Sequence, residues 1–317
     1  MTYSDPLLVV ALGGNAMQDP SGDDTVGSDF ARTTETARQL VALAMRGWRL
    51  VITHGNGPQV GNHLYRSELG AQHGDLPLLP LEICVADTQG GMGYMLQQCL
   101  ANAFNEAHVP AVVTAVVTQV LVDGDDRAFR SPSKPVGEVI DDAHAETLRE
   151  HGWELAEDKR RGGWRRVVAS PDPKEIVEAG AIQALVDDGV IVIAAGGGGV
   201  PVVHTDEGLT GIAAVVDKDL ASALLAIDLR ADALAILTDV EHASLGYGGP
   251  DERALDEMTV ADARRHLEAG EFPAGSMGPK VEALARYVSA TDGYGVIASI
   301  SKAADALSGK SGTRVVA

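Results

Sequence analysis

Glycine in this chain is clustered, and each main cluster directly follows a short apolar run. Gly13-Gly14 follows residues 7–12, Gly55-Asn56-Gly57 follows residues 49–53, and Gly196-Gly197-Gly198-Gly199 follows residues 190–195. Apolar, β-branched runs of this length suit strands buried on both faces of a parallel sheet. In open α/β sheets, ligands settle beyond the carboxyl ends of such strands, where backbone N–H groups and helix starts face an anion. A single cluster requires no more than a tight strand-to-helix turn. Three of them put backbone donors along one sheet edge, an arrangement suited to a ligand with two anionic ends. Spacing alone does not name that ligand.

The remainder of the chain follows the same alternation. Strands are expected at 7–12, 49–53, 190–195, 233–237 and 295–300, with one strand or a pair across 111–122. Helices are expected at 32–46, 89–108, 173–188, 219–228 and 280–289. This pattern defines an α/β class with a mostly parallel sheet covered by helices. Residues 123–170 break it: they are polar, carry Gly and Pro, and hold Trp153, Trp164 and the basic run Lys159-Arg160-Arg161. They are expected to form an insertion or small subdomain. Residues 241–272 are mixed and more polar, and no internal repeat is present.

Charge and composition exclude several classes. The net charge is −20, and no basic footprint for nucleic acid is visible. Hydrophobic residues make up 45% and aromatics only 4%, so the core must be built from Val, Leu, Ile and Ala. Cys84 and Cys99 are the two cysteines; that usage fits a reducing compartment and two small core fillers rather than a disulfide framework. No run approaches the ~20 apolar residues of a membrane helix. The first apolar run lacks a basic lead and enters Gly13-Gly14 directly, so a strand is expected there rather than a signal peptide, and a cytoplasmic location with it.

Two familiar phosphate motifs fail on spacing. After Gly55-Asn56-Gly57, a dinucleotide fingerprint needs glycine at position 60, where Val60 stands. Gly309-Lys310-Ser311 would need a leading glycine at 304, which is Ala304, and has no room for a following helix. The lysines are more informative, because the chain has only seven. Lys134 lies in Ser131-Pro132-Ser133-Lys134-Pro135, Lys218 stands between Asp217 and Asp219, and Lys280 follows Gly275-Ser276-Met277-Gly278-Pro279. Phosphoryl transfer asks for fixed positive groups around a migrating charge rather than covalent help. Asp219 is placed to pair with two lysines, keeping both charged and oriented. His54 is expected to pack beneath its glycine turn, since an anionic acceptor needs no general base. No His/Cys spacing suggests zinc.

Taken in order, these segments resemble the carbamate kinases of the amino acid kinase superfamily. The resemblance is carried by Ala11-Leu12-Gly13-Gly14-Asn15-Ala16, by Thr53-His54-Gly55-Asn56-Gly57-Pro58-Gln59-Val60-Gly61-Asn62, and by Gln89-Gly90 with Gly93-Tyr94-Met95-Leu96-Gln97-Gln98. It continues through Ser133-Lys134-Pro135-Val136-Gly137, Ala195 to Pro201, Val216-Asp217-Lys218-Asp219-Leu220-Ala221-Ser222, and Gly275 to Val281. Superfamily members acting on acetylglutamate, aspartate or nucleotides usually carry a lysine just before the first Gly-Gly, where this chain has Ala11-Leu12. Carbamate kinases supply a lysine from a protruding subdomain instead, which matches Lys134. One departure stands out: Val85-Ala86-Asp87-Thr88-Gln89-Gly90 replaces the family's Gly-Ala-Met-Thr/Ser-Gln-Gly, adding the charge of Asp87 where an anionic substrate is expected.

The resemblance implies a three-layer α/β/α sandwich with a mostly parallel central sheet, the amino acid kinase fold, and a small protruding subdomain near 123–170. It implies a lobe over 1–204 for carbamoyl phosphate and a lobe over 205–317 for ADP or ATP, with Mg²⁺ held mainly by the nucleotide phosphates. Gly13, Gly14, Asn15, Gly55, Asn56, Gly57, Gly197 and Gly198 would cradle carbamoyl phosphate. Lys134 and Lys218 would stabilise the transferring phosphoryl, with Asp219 as organiser. Thr238, Asp239, Val240, Tyr247, Met277 and Lys280 would form the nucleotide side. A homodimer is also implied. The rivals are a relative with another carboxylate or phosphate acceptor, and a non-catalytic sensor of the same fold, which would have no reason to keep the lysines.

Overall fold

The computed structural model describes residues 5–18, 25–150, 153–158, 162–273 and 275–317. Its centre is an eight-stranded sheet in the order Glu257–Thr259, Thr313–Val316, Tyr294–Ser299, Ala233–Thr238, Leu7–Leu12, Arg49–His54, Ile191–Ile193, Val113–Ala115. Pairing is parallel from Tyr294–Ser299 to the Val113–Ala115 edge. Thr313–Val316 pairs antiparallel with Tyr294–Ser299, and Glu257–Thr259 pairs parallel to Thr313–Val316, so the last two strands run against the rest.

Every side chain of Leu7–Leu12 is buried. Leu7, Val9 and Ala11 enter one core, and Leu8, Val10 and Leu12 the other, as the two-residue period of a strand requires. The first core is completed by Ala179–Asp187, Lys218–Asp228, Val260–Glu268 and Met277–Ala290; the second by Val26–Ala44, Leu81–Glu106 and Ala303–Leu307. Helices on both faces of one sheet make the three layers. Each fully buried Leu or Val contributes roughly 1.5–3 kcal/mol, which explains how a core with so few aromatic residues suffices.

Several elements differ from expectation. The first helix begins at Val26, where the Thr25 hydroxyl caps it by accepting from the Ser28 N–H at 3.1 Å. The third, Leu81–Glu106, starts behind Pro80 rather than near 89. Between them Gly57–Gly74 is helical, which its Gly-Pro start concealed. The expected helix 173–188 divides into the strand Pro173–Ile176 and the helix Ala179–Asp187, because Gln119–Val122 recruits the first part into a second, four-stranded sheet. Residues 111–122 do form a pair, Val113–Ala115 and Gln119–Val122, but in two different sheets.

The polar insertion contains a three-stranded sheet, Lys134–Ile140 with Trp164–Val168 and Leu155–Glu157, and the helix Asp142–Glu150. Its basic run, Lys159-Arg160-Arg161, lies outside the described residues. The insertion is seated firmly at its base. Val136 and Val168 join Val60, Leu64, Leu81, Cys84, Val85 and Val215 in a third buried cluster. Arg166 pairs with Glu68 at 2.8 Å. Gly61, on Gly57–Gly74, meets Gly137 so closely that a Cβ there would lie 2.1 Å from the Gly137 Cα. That backbone contact fixes where Lys134 enters the rest of the molecule.

Candidate active site

The carboxyl ends of Leu7–Leu12, Arg49–His54 and Ala233–Thr238 open on a cavity of about 1260 Å³. Gly13, Gly14, Gly55, Asn56, Gly57 and Gly197 line it, so all three glycine clusters reach one space. The first two are tied to neighbouring strands: the Gly13 N–H donates to the Leu237 carbonyl at 2.9 Å, and the Gly55 N–H to the Leu12 carbonyl at 3.2 Å. The third lies over buried polar side chains. A Cβ on Gly196 would stand 2.6 Å from His54 Nε2, and one on Gly197, whose φ is +66°, 2.4 Å from Asn56 Nδ2. Gln89 braces the approach to this loop by exchanging two hydrogen bonds with the Thr118 backbone, at 2.9 and 3.0 Å.

His54 is 1% exposed, and burial lowers its pKa. Its Nδ1–H donates to the Gly55 carbonyl at 2.9 Å. The imidazole is therefore a neutral support beneath the turn, as expected. Cys84 and Cys99 are both buried.

The lysines meet at the start of Lys218–Asp228. Asp219, 3% exposed, accepts from Lys218 on one carboxylate oxygen and from Lys280 at 2.9 Å on the other. Burial alone would raise the carboxyl pKa; Lys218 and Lys280 outweigh it and hold the group well below the usual carboxylate range. The lysines diverge. Burial pushes Lys218 down despite Asp219, whereas at Lys280 the attraction of Asp219 overcomes burial and the pKa rises. The Lys218 stem runs along the second glycine loop, 3.3 Å from where a Gly55 Cβ would lie.

Lys218 does not sit between two aspartates as its sequence neighbours suggested. Asp217 caps the helix, its Oδ1 accepting from the Asp219 N–H at 2.9 Å, and its Oδ2 accepts from Lys134 Nζ at 2.5 Å. Helix-capping geometry turns the Asp217 carboxylate back over the helix start and toward the insertion. Three ammonium groups and two carboxylates thus share one wall of the cavity. At an effective dielectric near 20, a pair of unit charges at 4 Å interacts by about 4 kcal/mol, so the cluster can hold its cations in place until an anionic ligand competes for them.

Thr238, Asp239 and Lys280 line the cavity together with Ser276 and Phe272. Four residues implied by resemblance are not among its lining. Gly198 is buried against Val216, Met277 packs into the first core, Val240 is half-buried, and Tyr247, 58% exposed, lies between the strands of the hairpin Ala243–Leu245 and Arg253–Leu255. Asn15 has a described backbone, but its side chain lies outside the described residues. Asp87 is exposed and likewise is not among the lining residues. Arg165, Ser133 and Asp217 line the cavity without having been singled out. Ser133 and Asp217 lay inside quoted motifs; Arg165 carried no sequence signal, being one of two adjacent arginines in the strand Trp164–Val168. Among the described residues, no group of three or more His, Cys, Asp or Glu is arranged to hold a metal ion, and no helix is long and apolar enough to cross a membrane.

A sheet with glycine loops at its strand ends and lysines clamped on aspartates defines a phosphoryl-transfer fold, and comparison with known proteins agrees. The Amino acid kinase family profile matches residues 6–299. The carbamate kinase of Pyrococcus furiosus is 46% identical over 98% of this chain and 98% of that protein. Carbamate kinase from Giardia lamblia bound to citric acid superposes with a TM-score of 0.93 at 40% identity, covering 99% of both chains. The same enzyme bound to AMP-PNP gives 0.89 at 42% identity, again over 99% of both. The chain belongs to the amino acid kinase family. Within that family it stands with the carbamate kinases.

Proposed function

We propose that this protein transfers a phosphoryl group reversibly between carbamoyl phosphate and ADP, giving ATP and carbamate, which breaks down to ammonia and carbon dioxide. The observation that carries this reading is the convergence of Lys134, Lys218 and Lys280 on Asp217 and Asp219 beside three glycine loops. In the ATP-forming direction, a β-phosphate oxygen of ADP attacks phosphorus, and the bond from phosphorus to the carbamate oxygen breaks in line. Negative charge spreads over the equatorial phosphoryl oxygens. Lys218 and Lys134 neutralise it at the transferring phosphoryl and Lys280 from the nucleotide side, while Asp219 keeps Lys218 and Lys280 placed. The N–H groups of the loops at Gly13–Gly14 and Gly55–Gly57 supply further donors, preorganised and needing little rearrangement.

Nucleotide enters as its Mg²⁺ complex. Magnesium typically keeps several waters and binds through substrate phosphates plus one or two carboxylates, so it would be held mainly by the nucleotide phosphates. Residues up to 204 with the insertion serve the carbamoyl phosphate side, and 205–317 the nucleotide side. Thr238, Asp239 and Lys280 are the nucleotide contacts best supported by position. The family likeness supports a homodimer, and two buried free cysteines support a reducing, cytoplasmic setting.

Phosphorus NMR tests the substrate assignment. Carbamoyl phosphate mixed with the protein, ADP and Mg²⁺ should lose its resonance as the γ-phosphate of ATP appears. No conversion, together with ATP consumption on N-acetylglutamate, aspartate or a nucleoside monophosphate, would replace carbamate by another acceptor. Binding of nucleotide without turnover of any of them would identify a sensor.

A further inference from the structure

Asp217 links three parts of the molecule that the reaction needs together. Its Oδ1 caps Lys218–Asp228 through the Asp219 N–H at 2.9 Å, and so sets the start of the helix that carries Lys218 and Asp219. Its Oδ2 takes Lys134 Nζ at 2.5 Å, across a sequence separation of 83 residues, from the protruding insertion. Both Asp217 and Lys134 line the cavity. The Lys134 side chain is 30% exposed, whereas those of Lys218 and Lys280 are 12% and 13% exposed. Lys134 is thus the least enclosed of the three, and a long, partly exposed side chain has many rotamers to lose on ordering.

We propose that Asp217 is a positioning residue that acts through Lys134. It holds the ammonium at the cavity wall in the ligand-free protein. When a phosphoryl oxygen arrives, the ammonium gives it one of its three N–H bonds while Asp217 keeps another. The inference rests on the reading of Lys134 as a charge-stabilising group. The competing role for Asp217 is capping alone, and the two separate chemically. Asparagine retains an oxygen for the Asp219 N–H and loses the charge that holds Lys134. The Asp217 charge also reaches Lys218 and Lys280, so an effect of Asp217→Asn on rate does not by itself prove action through Lys134.

A double-mutant cycle resolves this. Steady-state ATP formation is measured for wild type, Asp217→Asn, Lys134→Ala and the double variant, with thermal unfolding as a check on each. Lys134→Ala should lower kcat about 10²-fold, the size expected for one lost transition-state donor. Asp217→Asn should lower it about 10- to 30-fold through misplacement of that donor, with KM for ADP little changed. The double variant should then fall within about threefold of Lys134→Ala, because a positioning group has nothing left to position. A double variant slower than Lys134→Ala by the full factor of Asp217→Asn would overturn the proposal in favour of capping or a field effect. Asp217→Asn with wild-type kcat would overturn it directly. Full activity in Lys134→Ala would remove the reading of Lys134, and the proposal with it, and is distinguishable from both.

Discussion

Replacing Asp219 with alanine is the severest single test of how the charges are held. The carboxylate is 3% exposed and shared between Lys218 and Lys280. Its removal leaves two largely buried ammonium groups facing each other without their common counter-ion. Removing one partner of a buried pair typically costs 3–5 kcal/mol, because the other charge stays uncompensated. Two pairs are broken here, but the costs should not add fully. Lys218 already has a pKa lowered by burial and can shed its proton, and water can enter from the open cavity. A loss of about 3–5 kcal/mol is expected, which corresponds to a fall in Tm of roughly 5–8 °C for a chain of this size.

The pH dependence gives the prediction a sign. In the wild type, Asp219 has a folded-state pKa below its unfolded value. Its contribution is therefore present above about pH 4 and is lost as pH falls further. In the variant, Lys280 loses the attraction of Asp219 that raised its pKa, so burial should leave both lysines with lowered folded-state values. Their penalty is full below those lowered values and shrinks as pH rises from them toward the unfolded value of about 10.4. The gap between wild type and Asp219→Ala should therefore narrow as pH falls below about 4 and narrow again as it rises from about 7 to 9.5. Urea unfolding followed by tryptophan fluorescence at pH 4, 7 and 9.5 measures it. A gap below about 1 kcal/mol at pH 7, or one that widens at pH 9.5, would refute the reasoning.

Gly61→Ala should displace the insertion, since its Cβ would fall 2.1 Å from the Gly137 Cα with backbone on both sides. A loss of kcat of at least about tenfold is expected from the shift of Lys134, with faster hydrogen exchange in Lys134–Ile140; unchanged exchange and rate would show that the two backbones can part harmlessly. Gly90→Ala is the opposite case. That glycine is exposed within Leu81–Glu106 and a Cβ there meets nothing within 4 Å. It should stabilise the protein by about 0.5–1 kcal/mol without altering turnover, as read by the urea midpoint.

The parts of the fold legible in the sequence were those whose information is local. Leu7–Leu12 and Ala233–Thr238 are continuous apolar runs ending in polar or glycine turns, and a strand buried on both faces leaves no other pattern. Gly57–Gly74 was hidden because it begins with Gly57-Pro58 and buries only Val60 and Leu64, too few to mark a helical period. Pro173–Ile176 was misjudged because its strand character comes from pairing with Gln119–Val122, a contact far away in sequence. The site shows the same division. The sharing of Asp219 by two lysines could be anticipated from charge and motif. That Asp217 turns to Lys134 could not, since it depends on where Gly61 and Gly137 seat the insertion.

The central claim is that this cavity moves phosphoryl groups from carbamoyl phosphate to ADP with Lys218 stabilising the charge. The most direct measurement is the initial rate of ATP formation from fresh carbamoyl phosphate, ADP and Mg²⁺, by coupled luminescence, for wild type and Lys218→Ala side by side. The account predicts rapid, Mg²⁺-dependent synthesis by the wild type and a kcat lower by about 10²–10³-fold in a variant that remains folded, as the loss of a preorganised transition-state charge requires. No ATP from the folded wild type, or a near-normal rate from folded Lys218→Ala, would contradict it.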